Sequence, residues 1–249
     1  GLGILNHDAA HGALHPSLKL NDWLAKTFTV SGLDAYRAYH LQHHKFAQQR
    51  EDPDLGLSAP FPITRTSLRR KIVRDLTGQT YFKARFSGIT KRLKARPPGT
   101  SPWPLVWAEI VKQRGLILSA VAFTAIGAPF GYWWAWWVLW LLPKATWNAM
   151  VTRLRNIAEH ACIAVGEDDP MLQARPTKAS LLERALLAPY YVNYHCEHHM
   201  FMHVPCYSLP ALHRLLKRKG VMEGMLTAPG YLTVIGMASS KPDRVPVPA

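Results

Sequence analysis

The longest apolar segment of the chain runs from Arg114 to Lys144 and contains no charged residue between them. At about 1.5 Å per helical residue, this segment is too long for one straight crossing of a hydrocarbon layer about 30 Å thick. Gly127, Pro129 and Gly131 interrupt it near its middle. The pattern therefore predicts a transmembrane hairpin over about residues 110–150, with spanning helices at Ile110–Ala128 and Tyr132–Met150.

Five tryptophans lie within eight residues of this hairpin, at Trp133, Trp134, Trp136, Trp137 and Trp140. Such a cluster favours a membrane interface over a dry core, because each indole N–H needs a hydrogen-bond partner. Every lysine and arginine lies outside the uncharged stretch, so the positive-inside rule places both flanks in the cytoplasm. A buried helical hairpin in a soluble protein is the alternative.

The other apolar periodicities predict further helices joined by short loops, and hence an all-α protein with a single domain over residues 1–249. These helices are expected at Leu18–Leu33, Asp34–Phe46, Ala149–Ala164, Ser180–Met200 and Ala211–Lys219. The tail, residues 239–249, has the composition of a disordered segment. The apolar opening Gly1–Leu5 is typical of the last turn of a membrane helix, so we expect the amino terminus to be truncated.

A net charge of +14 raises the question of a nucleic-acid partner. Residues 65–96 contain eleven Lys or Arg and one acid, Asp75, interleaved with apolar residues. Basic amphipathic segments of this kind lie in the headgroup region of a membrane, and the sequence contains no nucleic-acid-binding motif. We therefore expect a membrane and no nucleic acid. A docking face for an acidic electron-transfer protein and a merely solvated surface are the alternatives.

Eight of the 12 histidines fall into three short motifs. The motifs are His7-Asp-Ala-Ala-His11, His40-Leu-Gln-His43-His44 and His195-Cys-Glu-His198-His199. Histidines three or four residues apart project from one face of a helix, so each motif presents two or three imidazoles together. Imidazole suits iron, copper, zinc or nickel, whereas calcium and magnesium prefer oxygen ligands. The spacing predicts a shared site for two metal ions.

His160 is a candidate ninth ligand, and Asn156 precedes it by one helical turn. Asn156 would reach a metal ion through its carbonyl oxygen or an intervening water, and a hydrogen bond on the helix face is the alternative. Asp52 and Asp54 are candidate acceptors for ligand imidazole N–H groups, with a plain acidic turn as the alternative. Three histidines are expected to be peripheral, packed or solvated: His15, His203 and His213.

These motifs resemble those of the membrane fatty acid desaturase and hydroxylase superfamily, and most closely those of bacterial acyl desaturases. The resemblance rests on the three histidine motifs in this order, on Asp52-Pro-Asp54 after the second, on Asn156-Ile-Ala-Glu-His160, and on Asn193-Tyr before the third. The hairpin between the second and third motifs agrees as well. The likeness covers nearly the whole chain.

The resemblance implies an integral membrane helical protein with a cytoplasmic helical cap that holds two iron ions, in a bacterial inner membrane. Asn156 would act through water, and no catalytic residue beyond the metal ligands is implied. Because the sequence has no His-Pro-Gly-Gly haem motif, electrons would come from an external ferredoxin or cytochrome. The implied iron ligands are His7, His11, His40, His43, His44, His160, His195, His198 and His199.

The implied activity is an oxygen-dependent desaturase that introduces a double bond into the acyl chain of a fatty acid or lipid. A hydroxylase or ketolase of a lipid or carotenoid is the first alternative, since His7-Asp-Ala-Ala-His11-Gly12 also resembles the first motif of carotenoid ketolases. A non-catalytic membrane protein that binds zinc through the same histidines is an alternative of another class.

Overall fold

The computed structural model describes residues 1–28 and 32–242. These residues contain fourteen α-helices, and their strand-like pairings are two isolated bridges, Thr64 with Lys241 and Thr177 with Ala228. The prediction of an all-α protein is therefore confirmed for the described residues. The helices are α1 (Leu2–Ala10), α2 (Leu18–Phe28), α3 (Leu33–Phe46), α4 (Leu55–Ser58), α5 (Arg65–Leu76), α6 (Gln79–Lys94), α7 (Trp103–Lys112), α8 (Arg114–Gly127), α9 (Leu142–Ala145), α10 (Trp147–His160), α11 (Leu181–Leu186), α12 (His195–Met200), α13 (Leu209–Arg218) and α14 (Tyr231–Ala238).

The chain forms two compact units. The first unit combines Gly1–Leu68 with the chain from Arg153 onward, and the second unit is Arg69–Thr152. All three predicted histidine motifs and His160 lie in the first unit, whereas the predicted membrane hairpin lies in the second.

Small side chains bring α1 close to its neighbours in the first unit. Ala9 and Ala10 are buried in one cluster with Ala25 of α2 and Leu33 of α3. On another side of α1, Ile4 packs in a cluster that includes residues of α10 and α14. Methyl side chains allow close helix packing, which holds the histidine-bearing end of α1 against α3.

Polar side chains satisfy the carboxyl end of α1, whose last carbonyls have no partner within the helix. The Asn21 amide donates to the Ala9 carbonyl at 2.9 Å. The Arg37 guanidinium donates to the carbonyls of Ala9 at 2.8 Å and Ala10 at 3.0 Å, and it also pairs with Asp22. One arginine on α3 therefore fixes the end of α1 and binds α2.

The first spanning helix was expected at Ile110–Ala128, but the chain bends by 62° between α7 and the segment Arg114–Phe130. The bend falls at Gln113, whose φ of −89° and ψ of 1° end α7. Within the described residues no single helix has the length and apolar composition of a membrane span, and this bent pair alone meets both requirements when taken together.

The second expected span, Tyr132–Met150, is also divided. A π-helical turn at Trp136–Leu141 precedes the four-residue α9, and Thr146 separates α9 from α10. Pro143 lies in the first turn of α9 and has no backbone N–H to bond to the preceding turn, which explains why the π-helical turn ends just before it.

The expected helix Ser180–Met200 is in fact α11, a 3-10 turn at Pro189–Tyr191, and α12. Pro189 disfavours a helical residue before it, and Tyr190 and Tyr191 take positive φ angles of 57° and 61°. The third histidine motif therefore begins its own short helix.

The other predicted boundaries shift by a few residues: α3 starts at Leu33, α10 ends at His160 and α13 covers Leu209–Arg218. Part of the expected helix Leu18–Leu33, residues 29–31, lies outside the described residues. In the tail that was expected to be disordered, the Lys241 amide donates to the Ile63 carbonyl at 3.2 Å. Residues 243–249 of that tail also lie outside the described part of the chain.

Candidate metal centre

Four helices bring the nine predicted ligand histidines together. They form two groups, and within each group the candidate ligand atoms lie within 4.8 Å of one another. The first group is His7, His11, His40, His44 and His198. The second group is His43, His160, His195 and His199.

Helical spacing explains how the second and third motifs contribute to both groups. His40 and His44 are one turn apart on α3 and face the first group, while His43 faces the second. On α12 the arrangement is reversed, because His195 and His199 join the second group and His198 the first. Helix α1 and its C-cap residue serve the first group alone, and α10 serves the second alone.

The first group has the spacing that a bound metal ion requires. His44 Nε2 lies 3.1 Å from both His40 Nε2 and His198 Nε2. Two nitrogens that each lie about 2.1 Å from one ion, at about a right angle, are about 3 Å apart. Both ring nitrogens of His11 are buried and have no hydrogen-bond partner among the described residues. A metal ion bound to His11 would satisfy one of them.

In the second group, His195 Nε2 lies 2.8 Å from His160 Nε2 and 3.1 Å from His199 Nε2. His160 Nδ1 donates to the Gln173 carbonyl at 3.1 Å. In a neutral imidazole the other nitrogen is then an acceptor, so the Nε2 lone pair of His160 is directed at its histidine neighbours. A cation between these rings would replace repulsion between lone pairs with coordination.

Burial favours the neutral form of several of these imidazoles, as metal binding requires. Burial and then the neighbouring imidazole of His7 lower the pKa of His11 to about 3. The same two causes, burial and adjacent imidazoles, lower the pKa of His44 to about 2 and that of His160 to about 3. At neutral pH these rings are unprotonated, and their lone pairs are available to a cation.

The Asp52 carboxylate orients His43, in agreement with the prediction that Asp52 accepts a hydrogen bond from an imidazole N–H group. His43 Nδ1 donates to Asp52 Oδ1 at 2.8 Å, which leaves Nε2 for a metal ion. The backbone N–H groups of Gln48 and Asp54 donate to the same carboxylate, at 3.0 and 2.8 Å. Burial raises the pKa of Asp52, but the hydrogen bond from His43 opposes it and the net shift is downward.

Sequence reasoning missed a buried pair behind the third motif. Glu197 is 0% exposed, and its carboxylate accepts a hydrogen bond from His213 Nδ1. His203, also assigned a peripheral role, donates from Nδ1 to the His11 carbonyl at 2.9 Å. Glu197 within the motif was a signal, because an acid between two ligands faces away from them. The segment from Val204 to His213 resembles the one that follows the third motif in bacterial acyl desaturases, but no spacing rule predicts that His213 or His203 contacts the motifs.

Asn156 and His15 are the two remaining residues that the sequence analysis considered. Asn156 is half-buried on α10, one turn before His160. His15 belongs to neither group, and its Nδ1 accepts a hydrogen bond from the Ser17 amide at 3.0 Å. His15 is peripheral in the structure.

The fold and site together define a class of all-helical proteins with two neighbouring histidine clusters suited to a pair of metal ions. Within that class, the chain belongs to the fatty acid desaturase family, whose model, "Fatty acid desaturase", matches residues 1–229. The chain is also 24% identical over 247 residues to the dihydrorhizobitoxine desaturase of Bradyrhizobium elkanii. That match covers 94% of this chain and 66% of the relative, so the chain spans slightly less than two thirds of the relative's length.

Membership in this family confirms the resemblance that the histidine motifs indicated. The histidine clusters agree with the metal use that the family suggests.

Proposed function

We propose that residues 1–249 form a single desaturase domain that uses two iron ions and O₂ to introduce a double bond into the acyl chain of a fatty acid or lipid. The observation that supports this proposal most is the pair of histidine groups, with five and four converging imidazoles, in a chain of the fatty acid desaturase family. Iron is favoured over zinc because desaturation requires a redox-active metal.

The iron ions, when bound and reduced by an external donor, would activate O₂, the oxidant, for removal of hydrogen from an unactivated C–H bond. In balance, two hydrogens leave adjacent carbons, and O₂ takes these together with two electrons and two protons to give two water molecules. The nine histidines would hold the ions, with Asn156 contributing through water.

The side chains around the histidines would keep the centre rigid and dry. Asp52 and the Gln173 carbonyl fix the ring orientations of His43 and His160. Seven of the nine histidines are buried, with the other two half-buried, so bulk water has little access to the site. Such preorganisation lets substrate placement decide which C–H bond reacts.

We further propose that the apolar hairpin anchors the protein in a bacterial inner membrane, with the metal centre on the cytoplasmic face. Large apolar side chains of α8 are widely exposed, among them Leu118 at 64%, Val121 at 62% and Ile126 at 65%. A lipid environment explains such exposure without a cost in hydration. The electron donor would be a ferredoxin or a cytochrome that reaches the site from the cytoplasm.

A second candidate differs in substrate class. The relative from Bradyrhizobium elkanii is named for dihydrorhizobitoxine and not for a fatty acid, so desaturation of a substrate other than an acyl chain is also supported by an observation. The same centre would serve both reactions, because the substrate alone differs.

Gas chromatography with mass spectrometry of total lipids tests the first proposal, in a host that expresses the full-length gene together with an electron donor. A new unsaturated acyl chain is expected, and His198→Ala should abolish it because the first group loses a ligand. His15→Ala is the matched control and should retain the product.

The other outcomes separate the alternatives. Oxygenated lipids would point to a hydroxylase or ketolase, and desaturated dihydrorhizobitoxine to the second candidate. Full activity in the His198→Ala protein would refute the assignment of the third motif. Bound zinc, with no product from well-expressed protein, would favour the non-catalytic alternative.

A further inference from the structure

A cavity of about 370 Å³ lies in the first unit, beside the start of α12. Its walls come from residues 176–179, α11, α12's N-cap region and α13. The lining side chains include four that are basic and, within the described part of the chain, none that is acidic: Lys178, Arg184, His213 and Lys217. The cavity is therefore electropositive, and it is large enough for a small polar ligand.

The backbone around this cavity is fixed by hydrogen bonds between separate segments. The Thr177 amide donates to the Asn193 carbonyl at 2.9 Å. The Lys178 amide donates to the Ala228 carbonyl at 2.9 Å, and the Ala228 amide returns a hydrogen bond to the Pro176 carbonyl at 3.0 Å. Three segments are bound together in this way, so the cavity is preformed.

Two buried polar atoms on residues of the cavity wall have no hydrogen-bond partner among the described residues: Arg184 Nε and Asn193 Oδ1. Asn193 is 5% exposed, and its Nδ2 donates to the Thr177 carbonyl at 3.1 Å. That bond fixes the amide orientation, so Oδ1 must remain the free acceptor. A buried polar atom without a partner is costly, which indicates that a ligand supplies the missing hydrogen bonds.

We propose that this cavity binds a phosphate ester that has a hydroxyl or ammonium group close to its phosphate. Lys178, Lys217 and Arg184 would neutralise the phosphate, and the guanidinium N–H would donate to it. The neighbouring hydroxyl or ammonium group would donate to Asn193 Oδ1. This inference rests on the proposed function in one respect: the phosphate ester would be the head group of the lipid substrate.

Contacts of the cavity wall explain why a head group would bind here. Tyr194 lines the cavity and directly precedes His195, a histidine of the second group. His213 also lines the cavity and donates to Glu197, which lies between the histidines of the third motif. A head group held at this wall would position its acyl chain relative to the metal centre, because binding energy far from the reacting carbon can orient the substrate.

The size of the cavity favours a small group over a protein partner. A stable protein interface buries about 800 Å² on each side, whereas concave sites of about 300–1,000 Å³ typically hold small molecules. An acidic electron-transfer protein docking on these lysines is therefore an outcome that would contradict the proposal.

Titration calorimetry on the full-length protein tests the site without turnover. Glycerol 3-phosphate should bind about threefold to tenfold more tightly than methyl phosphate, because it alone offers a hydroxyl to Asn193, and glycerol should not bind. Lys217→Gln and Arg184→Gln should each weaken glycerol 3-phosphate binding at least about threefold. Lys219→Gln, which removes an exposed charge just beyond α13, is the matched control and should bind as the parent does.

A second arm identifies the source of the phosphate. Short-chain phosphatidylglycerol should compete with glycerol 3-phosphate and should bind more weakly to Lys217→Gln, which would assign a lipid head group. Binding of glycerol 3-phosphate without such competition would assign a free phosphate ester and refute the lipid role. Equal affinity for glycerol 3-phosphate and methyl phosphate, no binding of either, or equal binding by the parent and Lys217→Gln would overturn the site itself. Binding with no lipid product would refute the proposed function and leave the phosphate site standing.

Discussion

Asp52 accepts the hydrogen bond from Nδ1 that fixes the ring of His43 in the second histidine group. We predict that Asp52→Asn weakens metal binding there about tenfold or more, because the ring loses a charged partner and the new NH₂ group faces a backbone donor. Iron per chain, measured by plasma mass spectrometry during dilution into a chelator, checks this. Glu51→Gln, a change at the exposed neighbouring residue, should retain iron as the parent does. Equal iron loss in both variants would contradict the role of Asp52.

The ion pair between Asp22 and Arg37 leads to a pH prediction. Hydrogen bonds from Arg37 lower the pKa of Asp22 from 3.8 to about 2. A carboxyl whose pKa is lower in the folded state stabilises the fold above its unfolded pKa, and this stability is lost as the pH falls toward the folded value. We expect Asp22→Asn to cost about 1 kcal/mol at pH 6. The difference in free energy of unfolding between the parent and Asp22→Asn proteins should narrow between pH 5 and pH 3.

Thermal unfolding of the parent and Asp22→Asn proteins in detergent, at several pH values, measures this difference. Asp34→Asn is the matched control, because Asp34 also pairs with a cation but its side chain is 73% exposed. We expect it to change stability by less than half as much. A difference for Asp22→Asn that stays constant from pH 6 to pH 3 would contradict the assignment.

The convergence of the nine candidate histidines was predictable, because residues three or four positions apart on a helix lie close together. The hydrogen-bond partners that orient the histidine rings were harder to predict. Gln173 contributes a backbone carbonyl, for which no side chain gives a signal, and His213 lies 16 residues from Glu197 with no motif between them. Such contacts depend on how loops fold over the site, and a sequence pattern contains no information on that.

At the scale of elements, periodicity located most helices but not their breaks. Helix α3 begins one residue before its predicted start and ends where predicted, because its polar and apolar side chains recur with regular helical spacing. The bend at Gln113 lies between Lys112 and Arg114, at the polar edge of the apolar segment, and the predicted span Ile110–Ala128 ran through it. Pro143 and Pro189 were visible signals, and the predicted helices ran through both of them.

Two exposed valines, one on α8 and one in the first unit, offer a test of membrane embedding. Val121 on α8 is 62% exposed, and Val165 in the first unit is 53% exposed. In native membrane vesicles, Val121→Cys should stay unmodified by a membrane-impermeant maleimide because lipid covers it. Val165→Cys should react, and only where the cytoplasmic face is accessible. Labelling is compared with that of the parent protein, and equal rates at the two positions would refute the membrane hairpin.

At the scale of the whole molecule, the site depends on segments that are far apart in sequence. Three motifs and His160 predicted a shared site, but not which histidines would share an ion. That division follows from the relative rotation of α3 and α12, because each contributes to both groups. Rotation about a helix axis is set by packing against other helices, so the sequence could supply the candidate ligands but not their division into two groups.

The partition predicts that each metal ion can be lost separately. His11 belongs to the first group alone and His160 to the second alone, while the helices shared by both groups stay intact in either variant. We expect two iron ions per parent chain and about one in His11→Ala or His160→Ala. Loss of one ligand weakens one site, and the other keeps all of its imidazoles. Plasma mass spectrometry of protein loaded anaerobically with Fe²⁺ measures this, with His15→Ala as the matched control at two ions. If both variants lost both ions, the two groups would form one inseparable site and not two.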